Sequence, residues 1–295
     1  ITPQKLLLWY HFKYMNYALF DIHAHLHDKA YDEDREIVLK EMKDYGLGAI
    51  TVGTDKIEST KALDLALLHD HIFASVGLHP ADNVTEEFDE AFYTTLGEHE
   101  KVVAIGECGL DYHYIENFFE KDKKIKNISW NKDAEADRQK TIFEQQVHLA
   151  AKLNKPLMLH GRPSKGTMDA YEDMLHILES AKKKYGPKLR GNAHFFVGTI
   201  DIAERFVQIG FTMSFSGVIT FTHDYDDVVR YLPGTMIQAE TDSPYATPTP
   251  FRGTRNNSMY VQEVVAKIAV LRNEPLEEMR VQLLENAKRI FAFDK

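Results

Sequence analysis

Cysteine and long apolar runs are both nearly absent from this sequence. Cys108 is the only cysteine in 295 residues, so no intramolecular disulfide can form, and this cysteine usage is typical of a reducing compartment. No apolar stretch approaches the roughly 18 residues of a membrane span. The early patch LLLWY is too short for a secretory signal. We therefore expect a soluble protein in the cytoplasm.

Basic residues are in deficit. The chain carries 35 Lys and Arg against 45 Asp and Glu, a formal net charge of −10. Broad, nonspecific nucleic-acid binding depends on phosphate neutralisation by Lys and Arg, so this balance argues against it. It leaves room for a local basic groove, and its carboxylates suit an enzyme that binds cations.

No linker rich in Gly, Ser or Pro divides the chain. A hydrophobic content of 44% allows a sizeable core, and α/β barrels of about 250 residues or more fold as one domain. Met15 directly precedes the first strand-like segment. We interpret residues 1–14 as an N-terminal extension or appended sequence, and residues 15–295 as one domain.

Short apolar segments alternate with longer amphipathic ones, which is typical of repeated βα units. Eight strands are predicted, in the segments YALFDIHAH, LGAITVGT, IFASVGLHP, VVAIGECGLDY, PLMLHGR, LRGNAHFF, FTMSFSGVI and MIQAETDSP. Gly46, Gly186 and Gly210 each close a helix-like stretch just before a strand. The α/β fold predicted is therefore a single (β/α)₈ TIM barrel, followed by two extra C-terminal helices.

One predicted connection, residues 113–137, is far longer than the usual βα loop of about 2 to 6 residues. We interpret it as an insertion or a lid. Its KDKKIK core also fits a solvated loop, as charge runs usually do.

Polar side chains end most of the predicted strands, where a barrel carries its catalytic groups. They are His23, His25, His79, Glu107, His160, His194 and Asp242. Because strand side chains alternate, we expect His23 and His25 to share one face and Ile22 and Ala24 the other. The same alternation places Glu107 and Asp111 together and turns Cys108 toward the helices.

These residues together indicate a metal site. A lone strand-end histidine such as His160 is usually structural, but six such groups at one end of a barrel favour ligation. Imidazole with carboxylate suits Zn²⁺, Mn²⁺, Fe²⁺ or Co²⁺, whereas Mg²⁺ prefers oxygen ligands; the identity stays open among all five. Four histidines and two carboxylates exceed the needs of one tetrahedral ion, so we expect two divalent ions sharing Glu107.

The ordered segments DIHAHL, SVGLHP, IGECGLDY, LMLHGR, NAHFFVG, SFSGVITF and ETDSPY resemble the TatD-like metal-dependent hydrolases of the amidohydrolase superfamily, over residues 17–293. The resemblance implies a binuclear barrel enzyme that hydrolyses DNA, often 3′ to 5′ from single-stranded ends. It implies that His23, His25 and Asp242 hold one ion and that His160 and His194 hold the other. Glu107 would bridge them, with His79 and Arg162 beside the substrate phosphate.

The sequence departs from the family in two places. HFFVG replaces the usual H-C-F-S-G, and the long insertion follows GLDY. RGTRNN, which contains Arg252 and Arg255, matches the family's Arg-rich loop only in outline. For these two arginines, pairing with surface acids competes with phosphate binding.

In the predicted mechanism the two ions lower the pKa of a bound water toward roughly 7. Asp242 orients this water and takes its proton, and Glu240 supports the site from the same strand. The substrate would be a nucleic-acid end held by a few cations: Arg162, Arg252, Arg255 and the lysines at 121, 123, 124 and 126. No obligate protein partner is indicated. Two alternatives stay open, an amidohydrolase-type enzyme acting on an aminoacyl ester, lactone or cyclic amide, and a noncatalytic metal-binding protein.

Overall fold

Eight parallel strands form one sheet in the computed structural model, which describes residues 17–121 and 131–293. Strand neighbours follow chain order from first to last. The strands are β1 (Leu19–Ala24), β2 (Leu47–Val52), β3 (Ile72–Val76), β4 (Val102–Asp111), β5 (Leu157–Arg162), β6 (Gly191–Ala193), β7 (Phe211–Phe215) and β8 (Ile237–Ala239). A parallel bridge between Ala24 and Ser243 joins the two ends of the sheet. The predicted barrel is confirmed.

Helices connect the strands. They are α1 (Arg35–Tyr45), α2 (Lys56–Leu68), α3 (Glu90–Gly97), α4 (Tyr112–Lys121), α5 (Lys132–Leu153), α6 (Asp169–Tyr185), α7 (Ile200–Gln208), α8 (Asp226–Tyr231), α9 (Val261–Arg272) and α10 (Leu276–Phe291). The last two are the predicted C-terminal helices. No helix in the described ranges has the length and apolarity to cross a membrane. The predicted extension, residues 1–14, lies outside the described residues.

The predicted helix ends are found. Gly46, Gly186 and Gly210 follow α1, α6 and α7, and their φ angles are positive, at 79°, 56° and 82°. The amide of Gly46 donates to the carbonyl of Lys43 at 3.1 Å, which satisfies one of the free carbonyls at the end of α1.

The core has two parts. The larger cluster packs the outer faces of the strands against the helices and includes Cys108, which is buried as predicted. The smaller cluster gathers residues spaced by two along the first strands, among them Phe20, Ile50 and Phe73, with Phe293 from the chain end. The Phe20 and Phe293 rings stack with their centroids 3.9 Å apart. Phe20 and Phe73 are the second residues of β1 and β3, so the aromatic part of the smaller cluster lies at the end of the barrel where the strands begin, away from the polar strand ends.

A bulge in β1 corrects one prediction. Asp21 pairs with Ala49 and Ala24 with Thr51, so three steps along β1 match two along β2. The extra residue interrupts the alternation: Ile22 joins the smaller cluster, whereas Ala24 joins the larger one. The expectation that Ile22 and Ala24 share a face is therefore wrong.

The described flanks of the 113–137 insertion are helical. Residues 113–121 continue α4, and α5 begins at Lys132 behind Asn131, whose side chain accepts a hydrogen bond from the Ala134 amide at 2.9 Å. Ile115 is buried against the larger cluster, which anchors α4. The insertion therefore extends a helix at each of its described ends, and its interpretation as a lid stays a prediction. The lysines at 123, 124 and 126 and the side chain of Lys121 lie outside the described residues.

Candidate metal centre

Six predicted ligands meet at the carboxyl ends of the strands. His23 lies in β1, Glu107 in β4 and His160 in β5. His25, His194 and Asp242 directly follow β1, β6 and β8 or lie a few residues beyond. Their burial is high, since His23 is fully buried and Glu107 and His194 are 4% and 5% exposed. The residue types predicted from strand ends thus converge on one spot.

Glu107 occupies the middle of the cluster. Its Oε1 is 2.9 Å from Nδ1 of His160 and 2.9 Å from Nε2 of His194. Its Oε2 faces the other side, 3.5 Å from Nε2 of His23 and 3.9 Å from Nε2 of His25. Each carboxylate oxygen therefore faces its own pair of histidines.

Asp242 completes the side of the cluster formed by β1. Its Oδ1 lies 3.4 Å from Nε2 of His25 and 3.7 Å from Nε2 of His23. Three sets of potential ligand atoms lie within 4.8 Å of one another: His23, His194 and Asp242; His23, His25 and Glu107; His79, Glu107 and His160. The donor atoms are close enough to share cations.

His23 supplies a direct test of fit. Both of its ring nitrogens are buried and have no hydrogen-bond partner, although a buried polar group usually has one. Its ring stacks on His194 with centroids 3.7 Å apart. An orphaned imidazole beside two carboxylates is a group that a divalent cation would satisfy, so these residues fit a metal.

Two glycines allow β4 to place Glu107 here. Gly106 and Gly109 have φ of 136° and 148°, a region that other residues rarely adopt. A Cβ at Gly106 would lie 2.3 Å from the Met158 carbonyl oxygen, and one at Gly109 would lie 2.0 Å from that of His160. The backbone on either side of Glu107 therefore requires glycine.

Hydrogen bonds orient the histidine rings. Nδ1 of His25 donates to the Val52 carbonyl at 2.8 Å, which leaves Nε2 facing Glu107 and Asp242. Nδ1 of His194 lies 3.1 Å from Glu240, so its Nε2 faces Glu107. Such outer partners set the tautomer and direction of a ligating imidazole.

Glu240 is itself held firmly. It is fully buried, accepts the Phe195 amide at 2.8 Å and the Ser214 hydroxyl at 2.5 Å, and contacts His194.

Phe195 and Asp242 both have positive φ, at 46° and 54°. Non-glycine residues in this region cost about 1–3 kcal/mol each and concentrate at functional sites.

Asp111 is a site residue that strand-end reasoning missed. Its Oδ2 lies 3.2 Å from Nε2 of His160, on the side of the ring opposite Glu107. The signal was present, because alternation along β4 places Asp111 on the face of Glu107. The rule that selects Glu107 as the polar group of this strand leaves Asp111 out.

Mutual charge controls the ionisation of the cluster. Burial alone would raise the pKa of Glu107, but the surrounding histidines, His194 first, hold it well below its usual range. Burial likewise disfavours protonated His25 and His160, yet Asp242 beside the first and Asp111 and Glu107 beside the second raise both pKa values to about 9. Negative potential at this spot therefore attracts positive charge.

The other predicted contacts divide into two groups. His79, Arg162 and Arg252 line the cavity above the cluster, which measures about 1080 Å³. His79 has Nε2 3.7 Å from Glu107 and Nδ1 3.0 Å from Asp82. Arg255 does not line this cavity; it pairs with Asp34 through both guanidinium nitrogens, at 2.8 and 2.6 Å. The structure therefore does not bring Arg255 to the site.

A (β/α)₈ barrel with a histidine–carboxylate cluster at its strand ends defines the class of this protein. The family model of TatD related DNases matches residues 20–292. The chain belongs to the TatD family of metal-dependent hydrolases.

Individual relatives agree. The chain is 38% identical over 278 residues to YabD of Bacillus subtilis, named an uncharacterized metal-dependent hydrolase, with 92% of this chain and 98% of that protein covered. It is 30% identical to TatD of Erwinia tasmaniensis, named a 3′-5′ ssDNA/RNA exonuclease, with 92% and 99% covered. The crystal structure of YjjV, a TatD homolog from Escherichia coli, superposes with a TM-score of 0.79 at 26% identity and covers 94% of this chain and 99% of its own.

Proposed function

We propose that this protein is a divalent-metal-dependent deoxyribonuclease that removes nucleotides 3′ to 5′ from single-stranded or frayed DNA ends. The observation that carries the proposal is the arrangement around Glu107, whose two oxygens face separate histidine pairs. The Erwinia relative named as a 3′-5′ ssDNA/RNA exonuclease supports the choice of substrate.

The proposed ligands form two groups. His23, His25 and Asp242 would hold one ion, His160 and His194 the other, and Glu107 both. The donor set contains more imidazole than carboxylate, which favours Zn²⁺, Mn²⁺, Fe²⁺ or Co²⁺ over Mg²⁺. When bound, such ions supply Lewis acidity that lowers the pKa of water and neutralises charge on the phosphoryl group.

Asp242 is the proposed base. Burial alone would raise its pKa, but His25, His194 and His23 lower it, so the side chain is a carboxylate able to accept a proton. The water oxygen forms a bond to phosphorus, the bond from phosphorus to the leaving sugar oxygen breaks, and the proton of the water passes to Asp242. The leaving oxygen takes its proton from solvent.

His79, Arg162 and Arg252 would position the substrate phosphates. Arginine can grip a phosphate through two parallel hydrogen bonds. Because Arg162, Lys165 and Arg252 are the only Lys and Arg residues among the described cavity-lining residues, we expect a shallow salt dependence of KM, corresponding to about two or three phosphates. The cytoplasmic location stays a prediction from the sequence.

The test is hydrolysis of an end-labelled single-stranded oligonucleotide with each divalent metal, compared with RNA and aminoacyl esters. In Asp242→Asn, turnover should fall by roughly 10² to 10⁴ because the base is lost. Asp44→Asn, at an exposed ion pair with Lys40 in α1, is the matched control and should retain activity.

Two results would contradict the proposal. Rapid aminoacyl ester hydrolysis without action on oligonucleotides would favour the amidohydrolase-type alternative. Activity of Asp242→Asn within a few-fold of the parent, with metal content unchanged, would remove Asp242 as the base.

A further inference from the structure

The cavity above the metal cluster has two walls of opposite charge. Loops after β1, β2 and β3 contribute an acidic wall, which we define as Asp28, Asp55, Glu58 and Asp82. Loops after β5 and β8 contribute a basic wall, which we define as Arg162, Lys165 and Arg252. All Lys and Arg side chains among the described lining residues belong to the basic wall. The metal cluster lies between the two walls, so the phosphates of a nucleic acid are attracted by one wall and repelled by the other.

Cations of the basic wall are available to a ligand. Among the residues that the structure describes, Arg162 and Lys165 have no carboxylate within ion-pair distance; the nearest acidic contact is Glu116, which accepts the backbone amide of Lys165 at 3.0 Å. Arg252 donates to the Thr247 carbonyl at 3.0 Å and forms no ion pair with a carboxylate in the described part of the chain. This contrasts with Arg255 nearby, whose charge is matched by Asp34.

Exposed aromatic rings accompany these cations. Tyr245 is 57% exposed and Phe221 is 44% exposed, and both line the cavity. The Arg252 guanidinium lies 3.8 Å from the centre of the Phe221 ring. Interleaved cations and aromatic faces are the surface that binds single-stranded nucleic acid, with phosphates on the cations and bases stacked on the rings.

The acidic wall is built to keep its negative charge. Asp55 caps α2 through the Glu58 amide at 2.8 Å, and Asp28 accepts the Ala30 amide at 2.6 Å. Burial alone would raise the pKa of Asp82, but the contacts with His79 and the Thr54 hydroxyl outweigh it and lower the pKa. Glu58 is paired with Lys61 at 2.8 Å and contacts Nε2 of His27 at 3.3 Å. A phosphate placed beside one of these carboxylates would be repelled by its negative charge.

We propose, on the basis of the function proposed above, that the nucleic-acid strand leaves the metal cluster across the basic wall only. Its terminal nucleotide then faces the acidic wall, where a free sugar hydroxyl can donate a hydrogen bond to a carboxylate and a terminal phosphate is repelled. The cavity volume of about 1080 Å³ suits the end of a strand. The charge difference between the walls thus makes the enzyme require an end without a phosphate.

The first test needs no variant. Two oligonucleotides of one sequence are compared, one with a hydroxyl and one with a phosphate on the terminus that the enzyme attacks. The wild-type protein should have kcat/KM lower by about tenfold or more on the phosphorylated end. In a fluorescence anisotropy titration, Asp242→Asn should bind the labelled oligonucleotide with a terminal hydroxyl more tightly than the one with a terminal phosphate. This experiment measures the discrimination independently of turnover.

The second test removes the negative charge of two acidic-wall residues but keeps a side chain that can accept the same backbone hydrogen bonds. Asn caps helices as well as Asp does, so Asp28→Asn/Asp55→Asn should keep the fold while reducing the discrimination at least threefold. Asp89→Asn is the matched control: Asp89 caps α3 through the Phe92 amide at 3.1 Å but does not line the cavity. It should discriminate like the wild type.

A third test examines the basic wall. Lys165→Gln and Tyr245→Leu should each raise KM for a trinucleotide severalfold more than KM for a nitrophenyl ester of a single nucleotide. Lys188→Gln is the control and should change neither KM, because Lys188 is three residues before β6, at the end of the barrel where the strands begin, and does not line the cavity.

The outcomes separate the two proposals. If the wild type cleaves neither oligonucleotide with any divalent metal, the proposed function fails. If it cleaves both ends equally well, or if the acidic-wall variant keeps full discrimination, the nuclease function stands and the one-sided path is wrong.

Discussion

The two ends of the barrel are formed by the same strands, but one end is apolar and the other is polar and charged. Where the strands begin, Phe20, Phe73 and Phe293 pack in a dry cluster, with Phe73 and Phe293 centroids 5.3 Å apart. Where they end, carboxylates and imidazoles are buried or partly buried and are held by charge and by hydrogen bonds. The first arrangement gains stability from apolar burial. The second buries polar groups, whose desolvation costs free energy, and this cost is characteristic of a binding site.

The two ends of the barrel also differ in what a substitution changes. At the end where the strands begin, which we call the closed end, a truncated side chain leaves a cavity and lowers stability. At the mouth a substitution removes a charge or a ligand and changes chemistry. Variants at the two ends should therefore separate folding from function, and the following predictions test this from the largest expected effect to the smallest.

The largest effect is expected for Glu107→Ala. Because Glu107 faces both histidine pairs, its loss should reduce the occupancy of both ions and lower activity by well over the roughly 10- to 100-fold that an outer contact costs. Metal analysis of the purified variant measures occupancy directly. Retention of two ions per chain would contradict the bridging role.

At the closed end, Phe20→Ala should lower the free energy of unfolding by about 3–5 kcal/mol, since Phe20 is 5% exposed and stacks on Phe293. Denaturant titration measures the change. Metal content and kcat of the folded fraction should stay unchanged. Phe221→Ala at the mouth is the comparison, because its exposed ring should cost little stability; an equal loss in both variants would erase the distinction between the ends.

An intermediate effect is expected for Glu240→Gln. This change keeps the shape of the side chain but weakens its contact to Nδ1 of His194 at 3.1 Å. Metal affinity should fall roughly 10- to 100-fold, as measured by competition with a chromogenic chelator. Glu179→Gln, at the exposed pair with Arg205, is the control. Unaltered affinity in Glu240→Gln would show that Glu240 does not orient His194.

The smallest effect is expected for Arg255→Ala. Its pair with Asp34 is about one-third exposed, so stability should fall by only about 0.2–1 kcal/mol. KM for oligonucleotides should not change, whereas Arg252→Ala should raise it roughly three- to tenfold, or about 0.7–1.4 kcal/mol. A matching rise in KM for Arg255→Ala would return Arg255 to the substrate path.

The site was only partly accessible to sequence reasoning. Glu107 and the histidines of the cluster could be selected because each lies in or just after a recognisable strand. Asp111 was placed on the correct face of β4 yet not assigned to the site. Lys165, Phe221 and Tyr245 carry no periodic signal, because they lie in loops whose paths depend on neighbouring units.

The sequence by itself determined the eight βα units, their order and the polar residues at most of the strand ends, because alternation and helical periodicity are local properties of the chain. Only the tertiary structure decided which of those polar groups meet and in what geometry. The bulge in β1, which is seen in the pairing register of β1 with β2, places Ile22 and Ala24 on different faces. Arg255 pairs with Asp34, which is 221 positions away in the chain, and therefore does not line the cavity. Such contacts follow from closure of the barrel, and no short pattern in the chain encodes them.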